Sequence, residues 1–468
     1  MRTLSGVLLA AVAVVAPLLA MLHGRMVAVA AAAAPLESLQ PLIDAAEPGA
    51  TVSPRAGRYA GPVVITKPIT LDGAGAVIVD GQGKGTVVSI RTDRATVRGL
   101  TVTNSGDQHN DIDAGIRIEG RGNIVKDNLI EECLFGIDIQ QSDDNVVRRN
   151  RITSKGDASL GVKGDAMRLW YARNNVIEEN TISGSRDLVV WYSSHNVIAR
   201  NGVSDGRYGL HLMFATDNII EDNNFDRNLV GIYLMYDERE VIRRNRVFRA
   251  QGAAGVGIGF KEASDILIED NEIIYNAVGL AFDLSPFQPG STIRVSHNKI
   301  AFNDVGISFL SDRPGNIFHD NLFIANTQQV AMRLFERAAQ AEWDGNYWDD
   351  YEGFDRDGND IGDRAQALRS YADRLWMDVP AAGLFKGTPA LSVLDFIERL
   401  APFTEPLLLL KDQHPRMGRE FEPRRAADAT PVSAREANDD QDEKGDKPAA
   451  DAARDENGRL DPFGLRKK

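Results

Sequence analysis

The chain has 468 residues and a formal net charge of −14, a length that fits one or two domains. An acidic chain is a poor partner for nucleic acid, because the phosphate backbone attracts basic surfaces. The single cysteine, Cys133, excludes an intramolecular disulfide. We expect this thiol to be a small packed side chain, and a metal-binding thiol is the less favoured alternative.

The first residues have the pattern of an export signal. Arg2 precedes an apolar run from Val7 to Leu22 and then an alanine-rich stretch, which predicts a signal peptide over residues 1–33. An uncleaved membrane anchor is the alternative. A secreted chain without disulfides is typical of a bacterial periplasm, so we predict that location.

Asparagines recur through the middle of the chain at intervals near 22 residues. They occupy positions Asn128, Asn150, Asn180, Asn201, Asn223, Asn245, Asn271, Asn298 and Asn321. Phrases such as Gly231-Ile-Tyr-Leu recur in step with them. A fixed period of this length indicates stacked copies of one structural unit.

The repeating unit is predicted to be β. Apolar residues alternate at spacing two, β-branched residues are dense, and Gly and Asn separate the short runs. Three strands and three turns then form one coil. We predict an all-β fold, a right-handed parallel β-helix (a solenoid) of about ten coils from about Ala50 to Trp343. The recurring asparagines would form a structural ladder that satisfies buried backbone groups.

The outward side of the Gly-containing strands carries an unusual set of side chains. A solvated sheet face is normally polar, yet four consecutive coils here place sulfur, imidazole and aromatic groups outward. The predicted members of this face are Met167, Trp191, His211, Met213, Tyr233 and Met235. Met and His are ligands that Cu(I) prefers, so the face could contact copper directly; packing or protein docking is the alternative. Trp170, Tyr192, Phe214 and Tyr236 are predicted to stack beside it.

An acidic segment follows the last repeat. Its side-chain oxygens, which could bind calcium, belong to Asp355, Asp357, Asn359, Asp360 and Asp363. The spacing departs from an EF-hand, and a turn-rich cap held by side-chain-to-backbone bonds is the alternative.

A short amphipathic helix is predicted after this segment. Thr388 is a suitable N-cap and Pro389 suits the first helical position. One apolar stripe is formed by Leu391, Leu394, Ile397 and Leu400. The stripe could cap the last coil or dock on a partner. The predicted order is a signal peptide (1–33), the β-helix (34–345), a terminal cap loop (346–380), the docking-helix region (381–411) and a disordered polar tail (412–468).

No catalytic constellation stands out in the sequence, so we predict that the chain is not an enzyme. The alternative is a carbohydrate-active β-helix enzyme, a lyase or hydrolase of acidic polysaccharide, which would need paired carboxylates at a fixed separation. Asp111 and Asp113 are adjacent acids, but a second acidic set does not recur on the same face.

The segment Gly345-Asn-Tyr-Trp-Asp-Asp-Tyr-Glu-Gly, the later Asp-Gly-Asn-Asp-Ile-Gly-Asp run and the Leu-Asp-Phe-Ile-Glu-Arg-Leu helix resemble the NosD family. These are periplasmic maturation proteins of nitrous-oxide reductase in denitrifying bacteria. The family's usual Pro-Tyr after Ile-Gly-Asp is replaced here by Arg364-Ala365.

The resemblance implies a non-enzymatic scaffold or copper relay for copper-centre assembly. It also implies partners: an ABC transporter permease and ATPase, a copper chaperone lipoprotein and the reductase itself. Copper would be bound transiently, and calcium is the second ion that the sequence suggests. The apolar helix stripe would then dock on the permease.

Overall fold

The computed structural model describes residues 35–156, 159–311, 313–332, 340–370, 385, 388–401 and 407–420. The predicted signal peptide and most of the predicted polar tail lie outside these residues. The chain divides into two units, 1–423 and 424–468, and all described residues belong to the first. Among the described residues, no helix has the length and apolar composition needed to cross a bilayer.

The first unit is a parallel β-helix with three strands per coil, as predicted. Each strand pairs in parallel with its counterpart one coil away, and the Gly-containing strands form a 12-stranded sheet, which we call face 1. The prediction of about ten coils is therefore too low, because the first coils lack the asparagine and glycine phrases. The face 1 strands are Val63–Ile65, Val88–Ile90, Ala114–Ile118, Phe135–Gln140, Met167–Trp170, Asp187–Trp191, Tyr208–Met213, Val230–Met235, Val256–Lys261, Val278–Asp283, Val305–Phe309 and Gln328–Met332.

The other two sides of the coil, faces 2 and 3, form a 24-stranded sheet. Thr70–Asp80 and Thr96–Thr103 run across both faces. The remaining face 2 strands are Thr51–Val52, Ile124–Lys126, Val146–Arg148, Val176–Glu178, Val197–Ala199, Ile219–Glu221, Val241–Arg243, Ile266–Glu269, Ile293–Ser296, Asn316–His319 and Glu342–Asp344. Those of face 3 are Gly57–Ala60, Leu129–Cys133, Arg151–Ser154, Thr181–Ser183, Gly202–Ser204, Asn224–Asp226, Arg246–Phe248, Glu272–Ile274, Lys299–Ala301, Leu322–Ile324 and Tyr347–Trp348.

The interior of the coil is a continuous column of buried Val, Ile, Leu and Phe side chains. Alternate residues of each short strand point inward, and each fully buried Ile or Leu stabilises the fold by about 1.5–3 kcal/mol. The Gly of each phrase lies where two coils approach closely. A Cβ on Gly231 would stand 2.3 Å from Val247 Cγ1, and one on Gly279 would stand 2.5 Å from the Gly306 carbonyl oxygen.

The predicted asparagine ladder is present. In each step one side-chain oxygen accepts both the backbone N–H and the side-chain N–H of the asparagine one coil earlier. Asn223 Oδ1, for example, lies 2.8 Å from Asn201 N and 3.0 Å from Asn201 Nδ2. A second ladder, which the prediction missed, runs along another turn through Asn123, Asn145, Asn175, Asn196 and Asn218.

Separate segments cover the two ends of the stack. At the start, the helix Gln40–Asp44 packs on the first coil, and the Gln40 side chain accepts from Val64 N at 2.7 Å. At the far end, Gln366–Ser370 pairs antiparallel with Leu407–Asp412. Leu409, Leu410 and Asp412 are buried there. An open strand edge would otherwise template further pairing.

Asp412 closes the asparagine ladder. Its Oδ2 accepts from Asn346 N and Nδ2, each at 3.0 Å, and from Trp348 Nε1 at 3.1 Å. The boundary predicted between residues 411 and 412 thus falls inside a strand, and the chain contacts the last coil as far as Arg419, which donates to Tyr347 Oη. From residue 421 onward the predicted disordered tail lies outside the described residues.

Candidate functional site

The strand register of face 1 defines two outward columns of side chains. The first runs through Arg117, Asp138, Arg168, Val189, His211, Tyr233, Gly259 and Ala281. The second runs through Gln140, Trp170, Trp191, Met213, Met235, Lys261 and Asp283. The columns are charged in the early coils and become aromatic and sulfur-bearing in the middle ones.

Met167 does not belong to this face, so its predicted position is wrong. It pairs with Ile137 and Leu188, is 0% exposed and lies in the core. The coil before Met167 has 30 residues and the coil after it has 21. A count of 22 residues back from Val189 therefore reaches Met167, whereas the true partner of Val189 is Arg168. A slip of one residue moves every side chain of a strand to the opposite face.

We therefore define the aromatic–thioether face as the corrected set of residues: Trp170, Trp191, His211, Met213, Tyr233 and Met235. Arg168 belongs to the neighbouring charged part of the column, and its guanidinium lies 4.4 Å above the Trp170 ring. Trp170 and Trp191 are tilted neighbours with ring centroids 5.8 Å apart.

A regular aromatic stack borders this face at the turn. It consists of Tyr171, Tyr192, Phe214 and Tyr236, with successive centroids 4.9, 5.0 and 4.8 Å apart. The stack therefore begins at Tyr171, and the predicted Trp170 belongs to the face instead. Because each ring covers the next, the rings present mainly their edges outward, and edges do not form the flat platform on which a sugar ring would stack.

His211 is surrounded by three aromatic rings. It contacts Trp191 edge-on at 5.6 Å, Tyr208 at 4.7 Å and Tyr233 at 6.3 Å between ring centroids. The side chain is only 7% exposed. Burial lowers the pKa of His211 to about 4, so the ring is neutral near pH 7 and keeps a free lone pair.

The two methionines of the face are neighbours. Met213 and Met235 pair directly across adjacent strands, and both are half-buried. Met213 is two residues after His211 on the same strand, so both point outward. The thioethers are flexible and neutral, which allows their sulfur atoms to approach the imidazole.

Two buried acids follow Met235 in the next turn, and the sequence analysis missed both. Asp237 accepts from Met235 N at 2.8 Å and from Ala215 N at 2.7 Å. Glu240 ends the second asparagine ladder by accepting from Asn218 N and Nδ2, each at 2.9 Å. Burial raises the pKa of both carboxyls well above the ordinary range. The phrase Glu240-Val-Ile-Arg-Arg-Asn245 carries the signal for Glu240, because a glutamate stands where the five preceding phrases have asparagine.

The acids of the charged part of face 1 are paired with arginines. Asp138, 0% exposed, lies between Arg117 at 3.1 Å and Arg168 at 3.2 Å. Asp187 bonds Arg207 in the same way. Burial raises the pKa of the Asp138 carboxyl, and the two guanidinium groups oppose that rise.

The adjacent acids Asp111 and Asp113 have structural partners. The Asp113 carboxylate accepts from Gln108 N at 2.9 Å. The Asp111 carbonyl oxygen accepts from Arg117 at 2.6 Å, which ties the loop to face 1.

The acidic segment after the last coil brings three of the five predicted calcium ligands together. Carboxylate oxygens of Asp355, Asp357 and Asp363 lie within 4.8 Å of one another. Asn359 Oδ1 instead accepts from Ile361 N at 2.8 Å, and the Asp360 carboxylate faces Gly418. The oxygen-rich cluster has the chemistry that Ca²⁺ prefers, so calcium remains a prediction for Asp355, Asp357 and Asp363.

The C-terminal helix spans Pro389–Leu400. Thr388 occupies the N-cap position, although its side chain makes no capping bond. Leu394, Ile397 and Leu400 are 40%, 43% and 70% exposed; of the predicted stripe, only Leu391 lies outside the described side chains. The strand Leu407–Asp412, and not this exposed stripe, covers the end of the stack.

Comparison with known proteins finds similarity to the NosD family. A family model described as "Periplasmic copper-binding protein (NosD)" matches residues 155–353, which include the whole aromatic–thioether face. The chain is also 28% identical over 385 residues to the "Probable ABC transporter binding protein NosD" of Pseudomonas aeruginosa, covering 77% of this chain and 87% of that protein. The resemblance to NosD is confirmed.

Two further matches agree with the NosD-like assignment. The protein of the same description from Stutzerimonas stutzeri is 33% identical over 106 residues, which is 22% of this chain and 23% of that one. A family model described as "Right handed beta helix region" matches residues 73–187, so the parallel β-helix of this NosD-like chain is right-handed.

Solved structures similar to this NosD-like chain include polysaccharide enzymes. The A-module of the Azotobacter vinelandii mannuronan C-5 epimerase AlgE4 is 16% identical, with coverage of 62% of this chain and 91% of that one and a TM-score of 0.49. A PL6 alginate lyase in complex with a trisaccharide is 18% identical, with 62% and 84% coverage and a TM-score of 0.47. Likeness at this level does not extend to activity.

Proposed function

We propose that this chain is a periplasmic accessory protein for copper-centre assembly of nitrous-oxide reductase. It acts as a non-enzymatic scaffold or copper relay, together with an ABC transporter permease and ATPase and a copper chaperone lipoprotein. The observation that carries the proposal is the aromatic–thioether face. It lies wholly within the segment that matches a periplasmic copper-binding family.

The chemistry of the face suits the reception of copper or of a copper-carrying partner. Aromatic and thioether groups outward on consecutive coils form an apolar surface of the kind that marks an interface. Neutral sulfur and imidazole groups bind Cu(I) without a charged ligand, so the ion can pass on to a tighter site.

A partner-binding experiment tests the proposal. The triple variant His211→Ala, Met213→Leu and Met235→Leu should no longer retain a copper-loaded chaperone lipoprotein on an affinity column. Met417→Leu is the matched control, because Met417 is an exposed methionine on the C-terminal segment and not on face 1. If the triple variant retains the chaperone as well as the wild-type chain does, the face is not the reception surface.

The alternative function, a carbohydrate-active enzyme, has less support. Asp138, Asp187 and Asp237, which lie on or beside face 1, are engaged by arginines or by backbone N–H groups. Turnover of alginate or oligogalacturonide that is lost in Asp111→Asn and Asp113→Asn variants would replace the proposed function with this one.

We also propose that the helix Pro389–Leu400 docks on the transporter permease. Its exposed apolar side chains have the spacing of anchors that enter a groove in a partner. Truncation before the helix is a poor test, because it also removes Asp412 and uncaps the last coil.

Substitutions within the helix distinguish the docking hypothesis from the capping hypothesis. The variant Leu394→Ser, Ile397→Ser and Leu400→Ser should keep its thermal midpoint but lose co-purification with the permease. Glu398→Gln on the same helix is the control and should behave as the wild-type chain. Permease binding that survives in the triple variant would eliminate docking through these residues.

A further inference from the structure

Face 1 carries a three-residue ion cluster in the coils just before the aromatic–thioether face. The Asp138 carboxylate lies 3.1 Å from Arg117 Nε and 3.2 Å from Arg168 Nη1, and we call these three residues the arginine cluster. Two guanidinium groups share one carboxylate, so the cluster has a surplus of one positive charge, although the whole chain has a net charge of −14. The Arg168 side chain is only 12% exposed. Water and salt therefore screen this surplus weakly, and it can attract an anion.

The two guanidinium groups of the cluster are not equally engaged. Arg117 also donates to the carbonyl oxygens of Asp111 and Ile112, at 2.6 and 2.7 Å. The Arg168 guanidinium has one acceptor among the described residues, the Asp138 carboxylate. A guanidinium offers five N–H donors in a plane that matches the two oxygens of a carboxylate. Arg168 therefore has donors left for a carboxylate ligand.

Unpaired N–H donors continue along the face from Arg168. Trp191 lies one coil beyond Trp170, the ring that the Arg168 guanidinium covers. Trp191 Nε1 and both ring nitrogens of His211 are buried, and none of them has a hydrogen-bond partner among the described residues. The indole nitrogen is a donor, and a neutral imidazole has one N–H. Buried donors are normally satisfied, so acceptor oxygens supplied by a ligand would stabilise this strip.

The surroundings of Trp170 favour an acidic polypeptide over an acidic sugar as that ligand. A sugar ring needs an open aromatic face on which to stack. One face of Trp170 is covered by the Arg168 guanidinium at 4.4 Å, and the ring also contacts Tyr171, Trp191 and Tyr192. Such a packed ring does not form a platform for a sugar.

The position of the cluster also favours a polypeptide. Arg168 and His211 belong to one outward column and are two coils apart, which is about 10 Å. About three extended residues span this distance. A short segment can therefore reach from the arginine cluster to the aromatic–thioether face, where the proposed function places a protein partner.

We propose that the arginine cluster binds a carboxylate side chain of the protein partner that docks on the aromatic–thioether face. Arg168 donates to this carboxylate, and Trp191 and His211 donate to oxygens further along the same acidic segment. The inference rests on the proposed function for the presence of a docking partner, and it adds the chemistry that this partner presents.

Titration of the purified chain with poly-L-glutamate at low ionic strength, followed by tryptophan fluorescence, tests the inference. The chain and the probe are both acidic and repel each other overall, so binding requires a local basic site. The wild-type chain should bind poly-L-glutamate more tightly than polygalacturonate, an acidic sugar polymer, and added salt should weaken the binding. No binding of poly-L-glutamate, or binding of polygalacturonate that is as tight or tighter, would overturn the inference.

Opposite charge changes within the cluster identify the site. Arg168→Gln leaves Arg117 paired with Asp138 and should lower the affinity for poly-L-glutamate at least about tenfold. Asp138→Asn removes the competing carboxylate and should raise the affinity. Arg149→Gln is the matched control and should behave as the wild-type chain, because Arg149 is also paired with an acid but follows the face 2 strand Val146–Arg148.

Either substitution in the cluster can refute the assignment. An unchanged affinity in a folded Arg168→Gln variant would contradict it. If Arg168→Gln fails to fold, an affinity in Asp138→Asn that stays unchanged or falls would contradict it as well.

The outcome is distinguishable from that of the proposed function. A wild-type chain that retains the loaded chaperone but does not bind poly-L-glutamate keeps the proposed function and loses this inference. A chain that binds poly-L-glutamate through Arg168 but never retains a chaperone keeps the carboxylate site and loses the proposed function.

Discussion

Replacement of Asn223 by alanine measures what one step of the asparagine ladder contributes. Asn223 Oδ1 accepts from Asn201 N and Nδ2, and its own Nδ2 donates to the Ile198 carbonyl oxygen at 2.8 Å. Alanine leaves two buried donors of Asn201 without an acceptor. At about 1–3 kcal/mol for each unsatisfied buried group, we expect a loss of roughly 2–6 kcal/mol. The sequence pattern alone indicates one lost partner for each step of the ladder, and it therefore predicts a smaller loss of about 1–3 kcal/mol.

Urea unfolding followed by circular dichroism gives the comparison. The matched control is Asn224→Ala, because Asn224 is the next residue, is exposed and belongs to the strand Asn224–Asp226. This control should stay within about 0.5 kcal/mol of the wild-type chain. The reasoning is refuted if the two alanine variants unfold at the same urea concentration with the same slope.

Three further predictions concern buried polar groups. Asp412→Ala should speed hydrogen exchange at residues 343–348, because Asn346 and Trp348 lose their acceptor. Asp412→Asn keeps a side-chain oxygen and should have a far smaller effect. Equal exchange rates in the two variants would contradict the role of Asp412 in closing the last coil. Burial raises the pKa of Asp165 to about 6, so ionisation of this carboxyl lowers the stability of the folded state. Relative to Asp165→Asn, wild-type stability should therefore fall by roughly 3 kcal/mol as pH rises from about 4 to about 7, and a constant difference would show that the carboxyl does not titrate in this range. Cys133 should resist iodoacetamide in the native chain and react after unfolding, because burial raises the pKa of its thiol to about 12; fast native labelling would contradict the packed position.

Much of the fold can be predicted from the sequence because its contacts repeat at a nearly constant separation along the chain. A residue such as Asn223 bonds its equivalents one coil away, typically 22 residues along the chain. Each coil therefore needs a side-chain amide at the same position, and the sequence shows an asparagine there in coil after coil. The glycine phrases are visible for a similar reason, since the close approach at Gly231 and Gly279 leaves no room for a Cβ.

The direction of side chains on face 1 is harder to read. His211, Met213 and Met235 were placed correctly because the coils that carry them keep the spacing of 22 residues. Met167 was misplaced because the coil before it is longer and the one after it is shorter. Strand alternation has a period of two, so an error of one residue exchanges core and surface completely.

The sequence by itself determined the repeating unit, the strand periodicity and the soft character of the aromatic–thioether face, because each depends on residues close in the chain or one repeat apart. The tertiary structure alone decided the closing of the last coil by Asp412, which is 66 residues beyond Asn346, since a contact made once leaves no periodic signal. It also decided that the nitrogens of His211 have no hydrogen-bond partner within the part of the chain that the structure describes. Burial and the absence of a bond depend on everything packed around a side chain, and a pattern along one strand does not contain that information.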